Sequence, residues 1–253
     1  MQDVVQSVER SLSILEALSD YEDGLGITEI SEKVGLHKST VHRLLSTLIQ
    51  KGYVEQSEET NKYKLTLKLF ELGSKKIGKI DVVNVAKPYL RDLMKMTNEV
   101  VHLVIRDGNE IVYVDKVESE STIRMYSRIG KRSPIYCTAV GKAMLSYMTD
   151  EQVEQIWNQS DIKKFTEKTI TNLEEFKEHL KIVREKGYAI DEQENEIGIR
   201  CVGAAILNYK GEVCGAISIS GSTISFTEDK IDNFAKVLIE YVSKISKELG
   251  YRA

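Results

Sequence analysis

At Val100 the hydrophobic period of this chain of 253 residues turns from helical to alternating, and that change constrains the fold more than any other feature. Up to about residue 97, one short hairpin apart, the apolar side chains recur at the three-and-four spacing of helices. From Val100 they alternate: VVHLVIRDGNEIVYVDKVES reads as two strands joined at Asp107-Gly108, a strong hairpin signal. A helical module therefore precedes a module built around a sheet. The length suits one large domain or two modest ones, each able to bury its own core.

The helical module has three segments and a hairpin. Val8, Leu12, Leu15 and Leu18 make a stripe that ends before DYEDGLG. Thr28 is read as the cap of TEISEKVG, with Glu29 and Glu32 early, where they favour the positive end of the helix dipole. Gly35 and Leu36 turn the chain into HKSTVHRLLSTLIQ, whose apolar face is Val41, Leu44, Leu45, Leu48 and Ile49. After Gly52, YVEQSEETNKYKL alternates around an acid-rich tip. Three helices and a hairpin make a winged helix-turn-helix.

The polar face of the third segment carries the functional signal. Between Val34 and Val54 there is no Asp or Glu, although charged residues make up 29% of the chain. In a helix-turn-helix the amino end of the second helix enters the major groove. Ser39 and Thr40 offer short hydroxyls for phosphates and base edges, and Arg43, one turn on, can donate bidentately to guanine. Lys38, His42, Thr28 and the hairpin's Lys62 complete the candidate DNA-binding set. Residues 1 to 75 hold nine Lys/Arg against twelve Asp/Glu, and the whole chain carries a net charge of −4. Attraction to a polyanion must therefore come from this local patch. A winged helix that only dimerises, as attached to some methyltransferases, has the same spacing.

The second module reads as α+β around an antiparallel sheet. Residues 81 to 97 form a helix with Pro88 inside it, and STIRMYSRIGKRSP adds a strand. Val140 to Met148 and Glu174 to Lys186 are helical. IGIRCVGAAILNYKGEVCGAISISGS is a second hairpin turning at Lys210-Gly211, and residues 227 to 249 close the chain with an amphipathic helix carrying Ile231, Phe234, Leu238 and Tyr241. CTAVGKAML resembles a loop entering a helix, where Ala139, Val140 and Gly141 present backbone N–H groups to an anion; such an entrance also serves simple packing. Ser218 and Ser220, two apart on a strand, share one face and need partners, whether from protein, ligand or solvent.

Catalysis finds no support in the sequence. Cys201 has no linked base, no Gly-rich cofactor turn follows a strand, and no Cys/His pair has metal-ligand spacing. No cofactor and no metal are expected. Three scattered Cys, no apolar leader and no run of membrane-spanning length indicate a soluble cytoplasmic protein that does not engage a membrane.

Five blocks in order, VERSLSILEAL, TEISEKVGLHKSTVHRLLSTLIQKGYV, PIYCTAVGKAML, GYAIDEQENEIGIRCVGAAI and GAISISG, resemble the IclR-type transcriptional regulators over nearly the whole chain. The resemblance implies a winged helix-turn-helix DNA-binding domain over 1–66, a linker helix over 67–80 and a GAF-like effector-binding domain over 81–253. It implies homodimers that pair into dimers of dimers, double-stranded operator DNA as partner, and an effector pocket holding Ala139, Val140, Asp191, Cys201, Ser218 and Ser220. The chemistry suits a small carboxylate or sugar acid, with Met125 as an apolar wall and Asp191 accepting from ligand hydroxyls. Tyr136 stands where many members carry His, and Ala139-Val140 where Gly and Ala are familiar. A sensor acting only through protein partners is the alternative, and Arg43 discriminates the two.

Overall fold

The computed structural model describes residues 4–77, 81–119 and 127–252. The chain divides into two compact units, Met1–Lys79 and Ile80–Ala253.

The first unit holds α1 (Gln6–Ser19), α2 (Ile27–Val34), α3 (Lys38–Gln50), the strands β1 (Val54–Gln56) and β2 (Tyr63–Leu65), and α4 (Lys68–Ile77). Ile14, Leu18, Ile30, Val41, Leu44, Leu45, Leu48, Val54 and Tyr63 form its core. Three details differ from the sequence reading. Thr28 does not cap α2: the cap is Gly26, whose N–H donates to the Glu29 carboxylate at 2.7 Å, and Thr28 is an exposed residue of the first turn. Thr28 is the second residue inside the helix, so its hydroxyl is not at the cap position, and Glu29 reaches back to the Gly26 N–H instead. Ile49 is 39% exposed and lies on the rim of the α3 stripe. In α1 the core is reached by Ile14 and Leu18, while Val8 and Leu12 stay more than half exposed.

The second unit is a six-stranded antiparallel sheet in the order β5-β4-β3-β8-β7-β6. Its elements are α5 (Asp81–Thr97), β3 (Val100–Asp107), β4 (Glu110–Val117), β5 (Arg132–Pro134), α6 (Ala139–Leu145), α7 (Asp150–Gln159), α8 (Leu173–Lys186), β6 (Ala189–Glu192), β7 (Ile199–Leu207), β8 (Val213–Ser222) and α9 (Ile231–Glu248), the last preceded by a 3₁₀ turn at Glu228–Lys230. The first hairpin closes on Gly108 and Asn109, since Asp107 pairs with Glu110. Helix α7, capped by Thr149 and Gln152, was not anticipated. Of the strand expected in STIRMYSRIGKRSP, Arg132–Pro134 is observed, and Met125 lies outside the described residues. Strands β7 and β8 are buried on both faces. Both α6 and α9 pack against them. Among the described residues no helix is long and apolar enough to cross a membrane.

Candidate functional site

Each unit carries one candidate site. The first is the outer face of α3. Burying Val41, Leu44, Leu45 and Leu48 forces Lys38, Ser39, His42, Arg43, Ser46 and Thr47 outward, and all six are exposed. Thr40 is half-buried. Ser46 and Thr47 turn their hydroxyls back to the carbonyls of His42 and Arg43. Among the described residues, the side chains of Lys38, Ser39, Thr40, His42 and Arg43 have no hydrogen-bond or ion-pair partner. The first turn of α3 contains no acid and no side chain caps it, so the positive end of the helix dipole is not offset there. Such a surface presents unpartnered donors and no carboxylate, which suits phosphate and base edges. Thr28 is exposed on α2, and Lys62 is half-buried on the hairpin that ends in β2. Lys62 adjoins the acidic loop of Asp20, Glu22 and Asp23.

The second site follows from strand register. Opposed residues in an antiparallel ladder share a face. Asp191 on β6 pairs with Cys201 on β7, which pairs with Ser220 on β8. One step along, Gly203 pairs with Ser218, and Ser218 pairs with His102 on β3. Two adjacent rows thus put Asp191, Cys201, Ser220, Ser218 and His102 on one side of the sheet. Helix α6 closes down on them because position 203 is Gly. A Cβ there would lie 2.7 Å from the Ala139 carbonyl carbon and from the Val140 nitrogen. Gly141 serves the other side of the helix in the same way, since a Cβ would fall 1.9 Å from the Ile135 oxygen.

The resulting cavity is lined by Ala139, Val140, Asp191, Cys201, Ser218 and Ser220, together with His102, Tyr113, Ser127, Ser133, Thr138 and Asn195. Lys131, Glu196 and Ile199 complete the lining. The open space between these side chains is about 550 Å³, solvent at the mouth included. All six of the described residues expected in the pocket line this one cavity.

The polar groups are already organised. Ser218 and Ser220 lie 3.2 Å apart, and each hydroxyl is 3.3 Å from Nδ1 of His102. The other ring nitrogen meets the Ser127 hydroxyl at 2.7 Å. Burial, aided by Lys116, pushes His102 down to about 3, so the ring is neutral and offers one donor and one acceptor. Asp191 Oδ1 accepts from the N–H groups of Glu194, at 2.7 Å, and Asn195, at 3.4 Å. Burial outweighs these bonds and pushes Asp191 up to about 7. At the helix entrance Thr138 Oγ1 takes the Gly141 N–H, so Gly141 is not one of the anion donors expected there. Ala139 and Val140 keep theirs at the cavity wall. Burial raises the Cys201 thiol far above its ordinary range, which makes it inert as a nucleophile. Among the described residues no group of His, Cys, Asp and Glu could hold a metal ion.

Sequence reasoning missed His102, whose place depends on the pairing of β3 with β8 across more than a hundred residues. It also missed Lys142, a completely buried cation on α6 paired with Glu194. Tyr136, set apart by sequence because many IclR-type members carry His there, does not line the cavity. Its hydroxyl donates to the Lys163 carbonyl, accepts from the Lys163 N–H, and sits against Trp157 and Phe165.

Comparison with known proteins identifies the two units independently. Residues 7–58 match the IclR helix-turn-helix domain, and residues 74–247 match the bacterial transcriptional regulator IclR C-terminal domain. The chain is 41% identical to the HTH-type transcriptional regulator KdgR of Escherichia coli over 249 residues, 98% of this chain and 94% of that protein. It is 34% identical to the DNA-binding transcriptional repressor YiaJ of the same organism, covering 97% and 88%. The crystal structure of the Thermotoga maritima IclR superposes with a TM-score of 0.86 at 36% identity, covering 98% of this chain and all of that one.

Proposed function

The chain belongs to the IclR family of DNA-binding transcriptional regulators, and on that premise we propose that it is a cytoplasmic repressor released or retained by a small hydroxylated carboxylate. The outer face of α3 reads operator DNA, with Arg43 on a base edge and Lys38, Ser39, Thr40 and His42 positioning the helix. Thr28 and Lys62 flank it on the phosphates. Repression follows from occupancy: a dimer seated on two half-sites excludes the transcription machinery from the same duplex. Similarity to a named repressor supports that direction.

One observation carries the effector reading. Donors and acceptors from β3, β4, β5, α6, β6 and β8 converge on a single cavity. The Ala139 and Val140 N–H groups with the Ser218 and Ser220 hydroxyls suit a carboxylate, while Asp191 suits a hydroxyl. Cys201 contributes an apolar wall. The assembly proposed is a dimer, and two dimers paired, because one winged helix offers too little groove contact for tight specific binding. Val4, Val5, Val8 and Leu12 around α1, and Leu67, Phe70 and Leu72 around α4, are exposed apolar side chains of the first unit available for the dimer contact. Thermal-shift screening of small hydroxy- and keto-carboxylates, followed by anisotropy on the promoter fragment beside the gene, tests both halves. The reading requires at least one such acid to raise the melting temperature and to change operator affinity. Screening that returned only neutral or cationic ligands would oppose it.

A further inference from the structure

Behind the cavity wall lies a charge arrangement that the effector contacts do not use. Lys142 projects from α6 into the interior and pairs with the Glu194 carboxylate, and both residues are buried. The backbone N–H of Glu194 donates to Asp191 Oδ1 at 2.7 Å. Its carbonyl accepts from the Thr169 hydroxyl at 2.6 Å. One residue, Glu194, thus ties the helix that forms the cavity entrance to the carboxyl group on the cavity wall. Its second side-chain oxygen, Oε2, is buried with no hydrogen-bond partner. A buried carboxylate left half-satisfied beside a buried ammonium is costly for stability alone.

Accepting the effector cavity proposed above, we propose that Lys142 and Glu194 are positioning residues for Asp191. The pair holds the Asp191 carboxyl at the cavity wall and sets, by opposed charges, whether that carboxyl carries a proton at neutral pH. The cavity therefore meets a ligand hydroxyl with an acceptor carboxylate on the alkaline side of neutrality and with a carboxylic acid on the other.

Among the charges around Asp191, those of this pair act on it most. From β7 it faces the Cys201 thiol, from the α6 entrance the Cys137 thiol, and from β4 the Tyr113 phenol. Burial pushes all three upward, so they are neutral. His102 on β3 is neutral because burial pushes it down. Glu196 and Lys131 belong to the cavity lining, and neither is paired with the Asp191 carboxylate. Burial raises Asp191 most, Lys142 opposes that rise, and Glu194 reinforces it. Lys142 and Glu194 therefore act on Asp191 with opposite signs.

That opposition supplies the test. The full-length protein, carrying ¹³C at the aspartate side-chain carboxyls, is titrated by NMR, with D191N identifying the Asp191 resonance. Wild type should titrate near pH 7. K142M should move the midpoint up and E194Q should move it down, each by about one pH unit, the scale of a single close charge. K142R, which keeps the charge, should stay near wild type. A residue that merely supported the wall would move both midpoints the same way through a common loosening. Should K142M not fold, E194Q decides alone, since the amide is nearly isosteric and still accepts from the ammonium. Midpoints that shift in the same direction, or an E194Q midpoint unmoved in the folded protein, would overturn the proposal. The titration uses no ligand, so it stands or falls separately from the effector reading.

Discussion

The two units handle their polar groups in opposite ways. On α3 the side chains of Lys38, Ser39, Thr40, His42 and Arg43 are left without partners among the described residues, most of them turned to solvent. In the sheet unit, Ser218, Ser220, His102, Asp191 and Glu194 are buried and bonded to one another or to backbone before any ligand arrives. Unpartnered donors on a rigid helix suit a large, rigid polyanion that brings its own acceptors. A pre-bonded cavity suits a small molecule, because preorganisation lowers the ordering cost of binding. The difference follows from where each site can find its partners, and it predicts that the two can be damaged independently.

The largest expected effect falls on the packing of the cavity unit. Gly141→Ala would drive a Cβ into the Ile135 carbonyl and should destabilise this unit by about 3 kcal/mol or more, at the upper end of overpacking costs. Urea unfolding should show that loss, while hydrogen exchange in α1 to α3 stays at the wild-type rate; equal stability would mean the helix entrance is not pinned there. Next comes Arg43→Ala, which should weaken operator binding by about 1–3 kcal/mol, or roughly ten- to a hundredfold, and leave the cavity unit's melting unchanged. Anisotropy with operator and scrambled duplexes is the check, and undiminished operator affinity would move the reading residue elsewhere.

A smaller effect comes through pH. Asp191 has a folded value raised to about 7, so the folded state holds a proton that the unfolded chain releases near pH 4. The stability this gives is complete below about pH 4 and is lost as pH rises through 7. An amide at this position cannot ionise, so Asp191→Asn should gain on wild type by roughly 1–3 kcal/mol between pH 5 and pH 8. Melting curves with a constant difference across that range would place the titration outside this carboxyl. Ser218→Ala and Ser220→Ala should each cost about 1 kcal/mol of effector affinity, as neutral hydroxyl bonds do. Calorimetry with an effector acid measures it, and wild-type affinity in the double variant would remove the serines from the ligand contact.

The same contrast explains what could be read from the chain. The α3 face lies within a single helix, so the apolar spacing of Val41, Leu44, Leu45 and Leu48 fixed its outer residues directly. Ser218 and Ser220 were legible as sharing a face because strand alternation is also local. His102 was not, because its neighbourhood depends on which strand β8 selects as partner. Lys142 was hidden for another reason. In KAML it reads as an ordinary solvated helix cation, and only Glu194, 52 residues away and fixed by the turn after β6, explains its burial. The cap of α2 went to Gly26 because Glu29 could reach back, a reciprocal bond that the presence of Thr28 obscures. Resemblance between separated blocks placed the remaining cavity residues, which no local period could have joined.

The central claim is that one chain joins a DNA-reading face to a separately built effector cavity. Operator anisotropy across a titration of an effector carboxylate at pH 8, with wild type, Arg43→Ala and Asp191→Asn side by side, tests it most directly. The account predicts that Asp191→Asn binds operator like wild type without ligand but needs about ten- to a hundredfold more effector to respond, the cost of a lost charge-assisted bond. Arg43→Ala should show the reverse: weak operator binding with the effector midpoint unchanged. An Asp191→Asn protein that responds at the wild-type effector concentration, or that loses ligand-free operator affinity as Arg43→Ala does, would contradict the account.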